Sequence, residues 1–251
     1  MNRSRLCVAT LTWARDDAEE QLLRRALEVL AEWSLPTFVA NRPAREQFAE
    51  FLLRRDGLTT VQPHAPGLLG QVRASLNAAL EAGRDVILYT EPDKEDFIRT
   101  GLTAFVDCAP DESDVGVVFA GRSAQSLATF PPVQRYTEGV INQLWERCGG
   151  PSGDYSYGPM LLRANLVRSL DRVEGDIGWG WRHFIAGAAS RLGYRIVHCV
   201  DDYPCPRDQQ AEDDSDRLHR MSQLAENIRG LILSRTVSIA GRIRDQSGGV
   251  T

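Results

Sequence analysis

Asp85-Val86-Ile87-Leu88-Tyr89-Thr90 runs directly into Glu91-Pro92-Asp93-Lys94. Val86 to Tyr89 are apolar without interruption, and polar residues bound them. A short continuous apolar run of this kind is what a strand covered on both faces looks like, and such strands lie at the centre of parallel sheets. The chain before it repeats the theme. Residues 6–13, 37–40 and 58–62 each read as strands. Amphipathic helices separate them. Asp16, with Glu19 three residues on, opens the first in a capping-box pattern, and Leu23, Ala26, Leu27 and Leu30 continue as an apolar stripe. A second helix is expected over 44–55. Leu69, Val72, Leu76 and Ala79 mark a third, which Gly83 stops. Strand and helix repeated four times predict an α/β domain whose doubly wound, mostly parallel central sheet carries helices on both faces.

The second half is less regular. The pattern predicts a helix over 94–106, strands over 115–120, 160–163 and 194–200, and helices over 165–170 and 180–192. Residues 121–158 are rich in Gly, Ser, Pro and Tyr, with a short helix expected at 140–147. Leu218, Met221, Leu224, Ile228 and Leu231 mark a further helix, and the tail 245–251 reads as frayed. There is no internal repeat and no long linker, so 1–251 reads as one domain.

Composition narrows the function classes. Lys plus Arg total 29 and Asp plus Glu total 34, giving a net charge of −5. A general nucleic-acid binder needs the opposite excess, so no nucleic-acid partner is expected. Apolar residues are 43% and charged residues 25% of the 251, an ordinary globular balance. Cys7, Cys108, Cys148, Cys199 and Cys205 form no C-x-x-C pair, which argues against structural zinc and for reduced thiols. No apolar run approaches the roughly 20 residues of a membrane span, and the first residues lack a signal-peptide pattern. A cytoplasmic protein is expected.

Three segments could carry chemistry. Glu91 and Asp93 stand just beyond the central strand, where open α/β sheets bind ligands. Such a pair can hold a divalent cation against a diphosphate, and it can equally cap the following helix. Glu174-Gly175-Asp176-Ile177-Gly178-Trp179-Gly180-Trp181-Arg182 places a carboxylate before a Gly/Trp turn. Asp176 could act there as a general base or as a helix cap, and the indoles could stack on a sugar or fill the core. Gly153-Asp154-Tyr155-Ser156-Tyr157-Gly158-Pro159 offers aromatic faces beside hydrogen-bonding groups, which suits carbohydrate and also suits an exposed turn.

The order of these segments, with Gly158-Pro159-Met160-Leu161-Leu162-Arg163 between them and Leu192-Gly193-Tyr194-Arg195-Ile196 after them, resembles the nucleotide-sugar-dependent glycosyltransferases of the GT-A fold, especially the family 2 type. The resemblance covers roughly residues 5–200. It implies a single GT-A-like domain, with 1–120 as a nucleotide-sugar half and 121–251 as an acceptor half. It implies transfer of a sugar from a nucleotide-diphosphate-sugar donor to a hydroxyl acceptor, with Mn²⁺ or Mg²⁺ as cofactor, and it leaves a homo-oligomer open. Asp93 and Glu91 would hold the metal, with His198 completing its shell. Thr10, Thr12, Gln71, Arg73, Asn77, Glu91 and Arg182 would bind the donor, and Asp176 would be the catalytic base. The departures are Glu at position 91, the intervening Pro92, Gly175 and Gly178 in place of acids, and Asn41-Arg42-Pro43 where the family often has an acidic run. They motivate a rival reading, a nucleotide- or sugar-binding protein without transfer. A nucleotidylyltransferase would need a Gly-rich loop after the first strand, and 12–17 contains no glycine.

Overall fold

The structure, a computed structural model, describes residues 1–42 and 45–239. The apolar run at 86–89 forms β4 (Val86–Tyr89), buried at every residue. It pairs in parallel with β1 (Leu6–Thr12), which pairs with β2 (Thr37–Asn41), which pairs with β3 (Leu58–Val61). On its other side β4 meets β6 (Met160–Arg163) antiparallel, and β6 joins β5 (Val115–Arg122) and then β7 (Arg195–Asp201). The order is β3-β2-β1-β4-β6-β5-β7, with β6 alone reversed. The expected mostly parallel sheet is therefore present.

Side chains alternate between the two faces of the sheet. Leu6, Val8, Val86 and Leu88 pack toward α1 (Asp17–Glu32), α2 (Glu46–Arg54) and α4 (Leu102–Cys108). Cys7, Ala9, Ile87 and Tyr89 pack toward α3 (Gly67–Glu81), α6 (Pro132–Arg147), α7 (Trp181–Arg191) and α8 (Asp214–Thr236). In β5 a bulge at Gly116 shifts the alternation by one, so that Val115 and Val118 face one layer and Val117 the other. A Cβ at Gly116 would strike Tyr194, which explains the glycine.

Several bounds differ from expectation. The helix expected over 94–106 is a π turn (Phe97–Gly101) running into α4. A short helix, α5 (Ala124–Leu127), follows β5. The segment expected as a short helix at 140–147 is the end of the 16-residue α6, opened by Pro132 at its first position. The residues expected over 165–170 form a 3₁₀ helix (Ala164–Arg172). The helix start expected at Ala44 and the tail 245–251 lie outside the described residues. No helix among those described is long and apolar enough to cross a membrane.

One polar contact is sealed inside the second layer. Trp145 Nε1 of α6 donates to Nδ1 of His183 in α7 at 2.8 Å, and His183 is fully buried. Burial, assisted by the neighbouring Arg182 charge, lowers the His183 pKa from 6.5 to about 3. The imidazole is therefore neutral in the folded chain, while the unfolded chain takes up a proton below pH 6.5. Stability contributed by this residue is complete above pH 6.5 and is lost as pH falls toward 3. Thermal melts between pH 7 and 4 should show a fall in midpoint that is shallower in His183→Gln; equal slopes would refute this account.

Candidate functional site

Two cavities open at the carboxyl ends of β1, β2 and β4. The larger, about 630 Å³, is bounded by Leu11 at the end of β1 and Trp13 just after it, by Arg42 after β2, and by Leu68 and Gln71 at the start of α3. Glu91, Pro92 and Asp93 form its inner side, and Trp179 with the α8 residues Gln223 and Glu226 its far wall. The smaller, about 180 Å³, lies beyond Glu91 and is lined by Lys94, Arg122, Ser156, Tyr157 and Arg182, with Pro204, Pro206 and Arg220 above. Glu91, Asp93, Trp179, His219 and Gln223 line both cavities.

Glu91 sits at this junction because β4 ends two residues earlier and the chain turns at Pro92. Its carboxylate is buried, with Oε1 3.5 Å from Arg182 Nη1 and Oε2 4.0 Å from Lys94 Nζ. Burial pushes its carboxyl upward, and the charges of Arg182 and Lys94 pull it back in part. Lys94 Nζ is also 2.7 Å from Asp93, whose side chain is 52% exposed. One ammonium thus serves both carboxylates. Gly158, at φ +127°, lies against this group, and a Cβ there would collide with Glu91.

Asp176 stands elsewhere in the electrostatic scheme. Its Oδ2 accepts the Leu68 N–H at 3.0 Å, and its Oδ1 accepts those of Leu69 at 3.2 Å and Gly178 at 2.8 Å. The carboxylate closes the amino terminus of α3, where unsatisfied N–H groups favour negative charge. Gly67, at φ +83°, leaves room for it. The same carboxylate lines the larger cleft, and its three backbone bonds leave one lone pair of Oδ2 unused.

The expected donor-binding residues separate into two groups. Gln71, Glu91 and Arg182 line the cavities, Gln71 donating to the carbonyls of Thr12 and Ala40. The others do not. Thr10 is fully buried and donates to the Thr90 carbonyl, and Thr12 donates to Asn41 Oδ1, because strand alternation turns both inward while Leu11 and Trp13 face the cleft. Arg73 donates to the carbonyls of Leu170 and Val173, bolting α3 to the 3₁₀ helix. Asn77 is exposed on the outer side of α3, where it and Arg73 line a separate hollow with His64 and Glu81.

His198 is also displaced from its expected place. It lies on β7, stacked on Phe119 at 5.4 Å and edge-on to Tyr155 at 4.6 Å, and lines neither cavity. Burial lowers its pKa despite the nearby Asp154. No group of three or more His, Cys, Asp or Glu side chains placed to hold a metal occurs among the described residues. What the junction offers is two hard oxygen donors, Asp93 and the Glu91 carboxylate, whose Oε1 has no hydrogen-bond partner. Mg²⁺ is commonly held by one or two carboxylates completed by substrate phosphates and water, so this pair fits a cation that arrives with a diphosphate.

Several cavity residues were not singled out from sequence. Trp13, 43% exposed, has the Arg42 guanidinium 4.2 Å and the Arg15 guanidinium 5.4 Å from its ring centroid, at the mouth of the larger cleft. Arg122 is fully buried, its guanidinium bridging Asp154 (2.7 Å) and Glu138 (2.6 Å). Burial works against its charge, but the two carboxylates raise its pKa well above the usual value. No apolar periodicity signals a charged residue at the end of a buried strand.

No protein-family model and no curated protein sequence matches this chain. Solved structures do. Glucosyl-3-phosphoglycerate synthase from Mycobacterium tuberculosis, in complex with Mn²⁺, UDP-glucose and glycerol 3-phosphate, superposes with a TM-score of 0.63 at 13% identity, covering 94% of this chain and 82% of that one. The same enzyme with Mn²⁺, UDP and phosphoglyceric acid gives 0.59 at 12%, covering 94% and 80%. Its complex with Mg²⁺ and UDP gives 0.61 at 13%, covering 94% and 81%. The chain has a GT-A-like fold. The likeness is one of architecture, and it agrees with the fold expected from the order of the sequence segments.

Capping by Asp176 has a measurable cost. Asp176→Ala strands three N–H groups, and loss of a helix cap costs about 1–2 kcal/mol. At about 2–4 °C per kcal/mol for a chain near this size, the melting midpoint should fall by about 2–8 °C. An unchanged midpoint would show that the cap carries no weight.

Proposed function

We propose that the chain is a glycosyltransferase that moves a sugar from a nucleotide-diphosphate-sugar donor to a hydroxyl acceptor. The observation that carries this reading is the meeting of two cavities at Glu91 and Asp93, at the carboxyl ends of the strands of a GT-A-like sheet. The larger cleft would take the donor. Trp13, Arg42 and Gln71 would receive the nucleoside, and the diphosphate would lie toward Lys94 and Arg182. The smaller cavity would present the acceptor to the sugar at the junction. In this reading 1–120 form most of the donor side and 121–251 the acceptor side, although Asp176, Trp179 and α8 also bound the donor cleft.

Glu91 and Asp93 would hold a divalent cation, Mn²⁺ or Mg²⁺ as in the structural neighbours, and bound there it neutralises charge on the leaving diphosphate. Lys94 is already seated between the two carboxylates, so it competes for that place and is free to pair with phosphate when displaced. The Glu91–Arg182 pair fixes the buried carboxylate, and Asp176 holds the amino end of α3 against the donor cleft.

A binding protein without transfer is the second reading, favoured by the engagement of both Asp176 oxygens. Turnover separates the two: a donor and acceptor panel should yield transfer or donor hydrolysis in the first case and binding alone in the second.

Nucleotide occupancy is tested by thermal shift. A ligand at about 100 times its dissociation constant adds about 2.7 kcal/mol, which is about 5–11 °C at about 2–4 °C per kcal/mol. Nucleoside diphosphates should raise the midpoint by this order. Calorimetric titration should find Mn²⁺ binding only in the presence of the diphosphate, and Asp93→Asn should remove the Mn²⁺-dependent increment alone. No shift with any nucleoside diphosphate would overturn the donor cleft.

A further inference from the structure

Four buried polar atoms without a hydrogen-bond partner belong to residues lining the smaller cavity: Glu91 Oε1, Arg122 Nη1, Ser156 Oγ and Arg182 Nε. The side chains that carry them are held in place. Arg122 is pinned by Asp154 and Glu138, Arg182 faces Glu91, and the Ser156 N–H donates to Asp154 Oδ1 at 3.2 Å. Buried polar groups are ordinarily satisfied, so such a concentration around one cavity marks the chemistry of what enters it.

The unused set is mixed. Two are N–H donors on guanidinium groups, one is a carboxylate acceptor, and one is a hydroxyl able to do both. Charge is also balanced. Lys94, Arg122, Arg182 and Arg220 face Glu91, Asp93, Asp96 and Glu138, with Asp154 behind Arg122. Lys94 and Arg182 would serve the donor diphosphate, so no surplus positive charge is left to offset the desolvation of a second phosphate or a carboxylate. A hydroxyl group donates and accepts at once, and a set of hydroxyls on one small frame matches unused donors and acceptors together. The walls agree with this. Tyr157, stacked on Tyr203 at 5.2 Å, and Trp179, beneath the Arg182 guanidinium at 5.0 Å, add apolar ring edges to the lining.

We propose that this cavity binds a neutral polyhydroxyl ligand, a sugar ring or short glycoside, in contrast to the phosphorylated acceptors bound by the structural neighbours. Its role as acceptor site rests on the glycosyl-transfer reading; its capacity to bind a polyol does not. Ser156 and Arg122 are the recognising side chains.

The test is binding to the whole chain, by saturation-transfer NMR and calorimetry, of glucose, mannose and trehalose against 3-phosphoglycerate and glycerol 3-phosphate, each with and without UDP. A neutral sugar should bind with an affinity that changes less than about twofold between low and high salt, since no net charge is screened. Ser156→Ala should weaken it about two- to tenfold, the worth of one neutral hydrogen bond. Arg122→Lys, which keeps the charge and loses the planar fork, should weaken it further while circular dichroism stays unchanged; if that variant unfolds, Ser156→Ala decides. Salt-sensitive binding of the phosphorylated acids without sugar binding would overturn the proposal, as would no binding by either class. A UDP shift without sugar binding overturns the polyol site and leaves the transfer reading standing. Sugar binding without any nucleotide shift does the reverse.

Discussion

The Glu91–Arg182 pair joins the end of β4 to the start of α7, and both cavities are built around it. Both side chains are almost wholly buried. Taking two charges out of water is expensive, and an attraction at 3.5 Å recovers that cost only with further support. The support is visible. Lys94 approaches the second Glu91 oxygen, and the bare Cα of Gly158 allows the loop after Tyr157 to close over the pair. Removing either partner would leave the other charge buried and unpaired, which typically costs about 3–5 kcal/mol. The pair therefore does more to define position than to add stability: it fixes where a carboxylate and a guanidinium stand relative to a sheet end.

A second charged group extends the same principle. Arg122 at the end of β5 is enclosed by Asp154 from the Gly/Tyr loop and Glu138 from α6, while Gln134 donates to Glu138 at 2.9 Å. Burial alone would raise the Asp154 carboxyl, but the Arg122 guanidinium outweighs it and holds the group below its usual range. The network ties a strand, a helix and a loop that share little apolar contact at this point. It also explains why the smaller cavity carries many charged side chains with little net charge.

The same network accounts for much of what sequence reading did not find. Strand β4 was legible because its apolar run is continuous and buried on both faces, whereas β3, with two threonines and no buried residue, was legible from the helix that ends before it. Helix α6 was not, beyond its last two turns. Its first half turns Gln134, Thr137 and Glu138 into the protein, so the inward face is polar and an apolar periodicity is absent. Asp176 was legible as a helix-capping carboxylate, but its partners are Leu68 and Leu69, more than a hundred residues away, and no local pattern reveals them. Thr10 and Thr12 were assigned to the cleft by position on β1, and alternation assigns the cleft to their neighbours. The junction of Glu91 and Asp93 was read from its place after the central strand, a rule of sheet topology that needs no knowledge of distant contacts.

The Gly/Trp turn at 178–180 owes its shape to α8. Glu226 accepts the Trp179 N–H at 2.9 Å, and the two backbones lie so close that a Cβ on Gly180 would strike the Glu226 carbonyl and one on Gly230 the Gly180 carbonyl. Neither glycine faces a cavity wall of its own, yet together they set how far α8 stands from Trp179. The two positions are thus locked sterically at one crossing. A side chain gained at one cannot be accommodated by trimming the other, which has nothing left to give, so any path of sequence change in this protein must pass around this crossing and not through it.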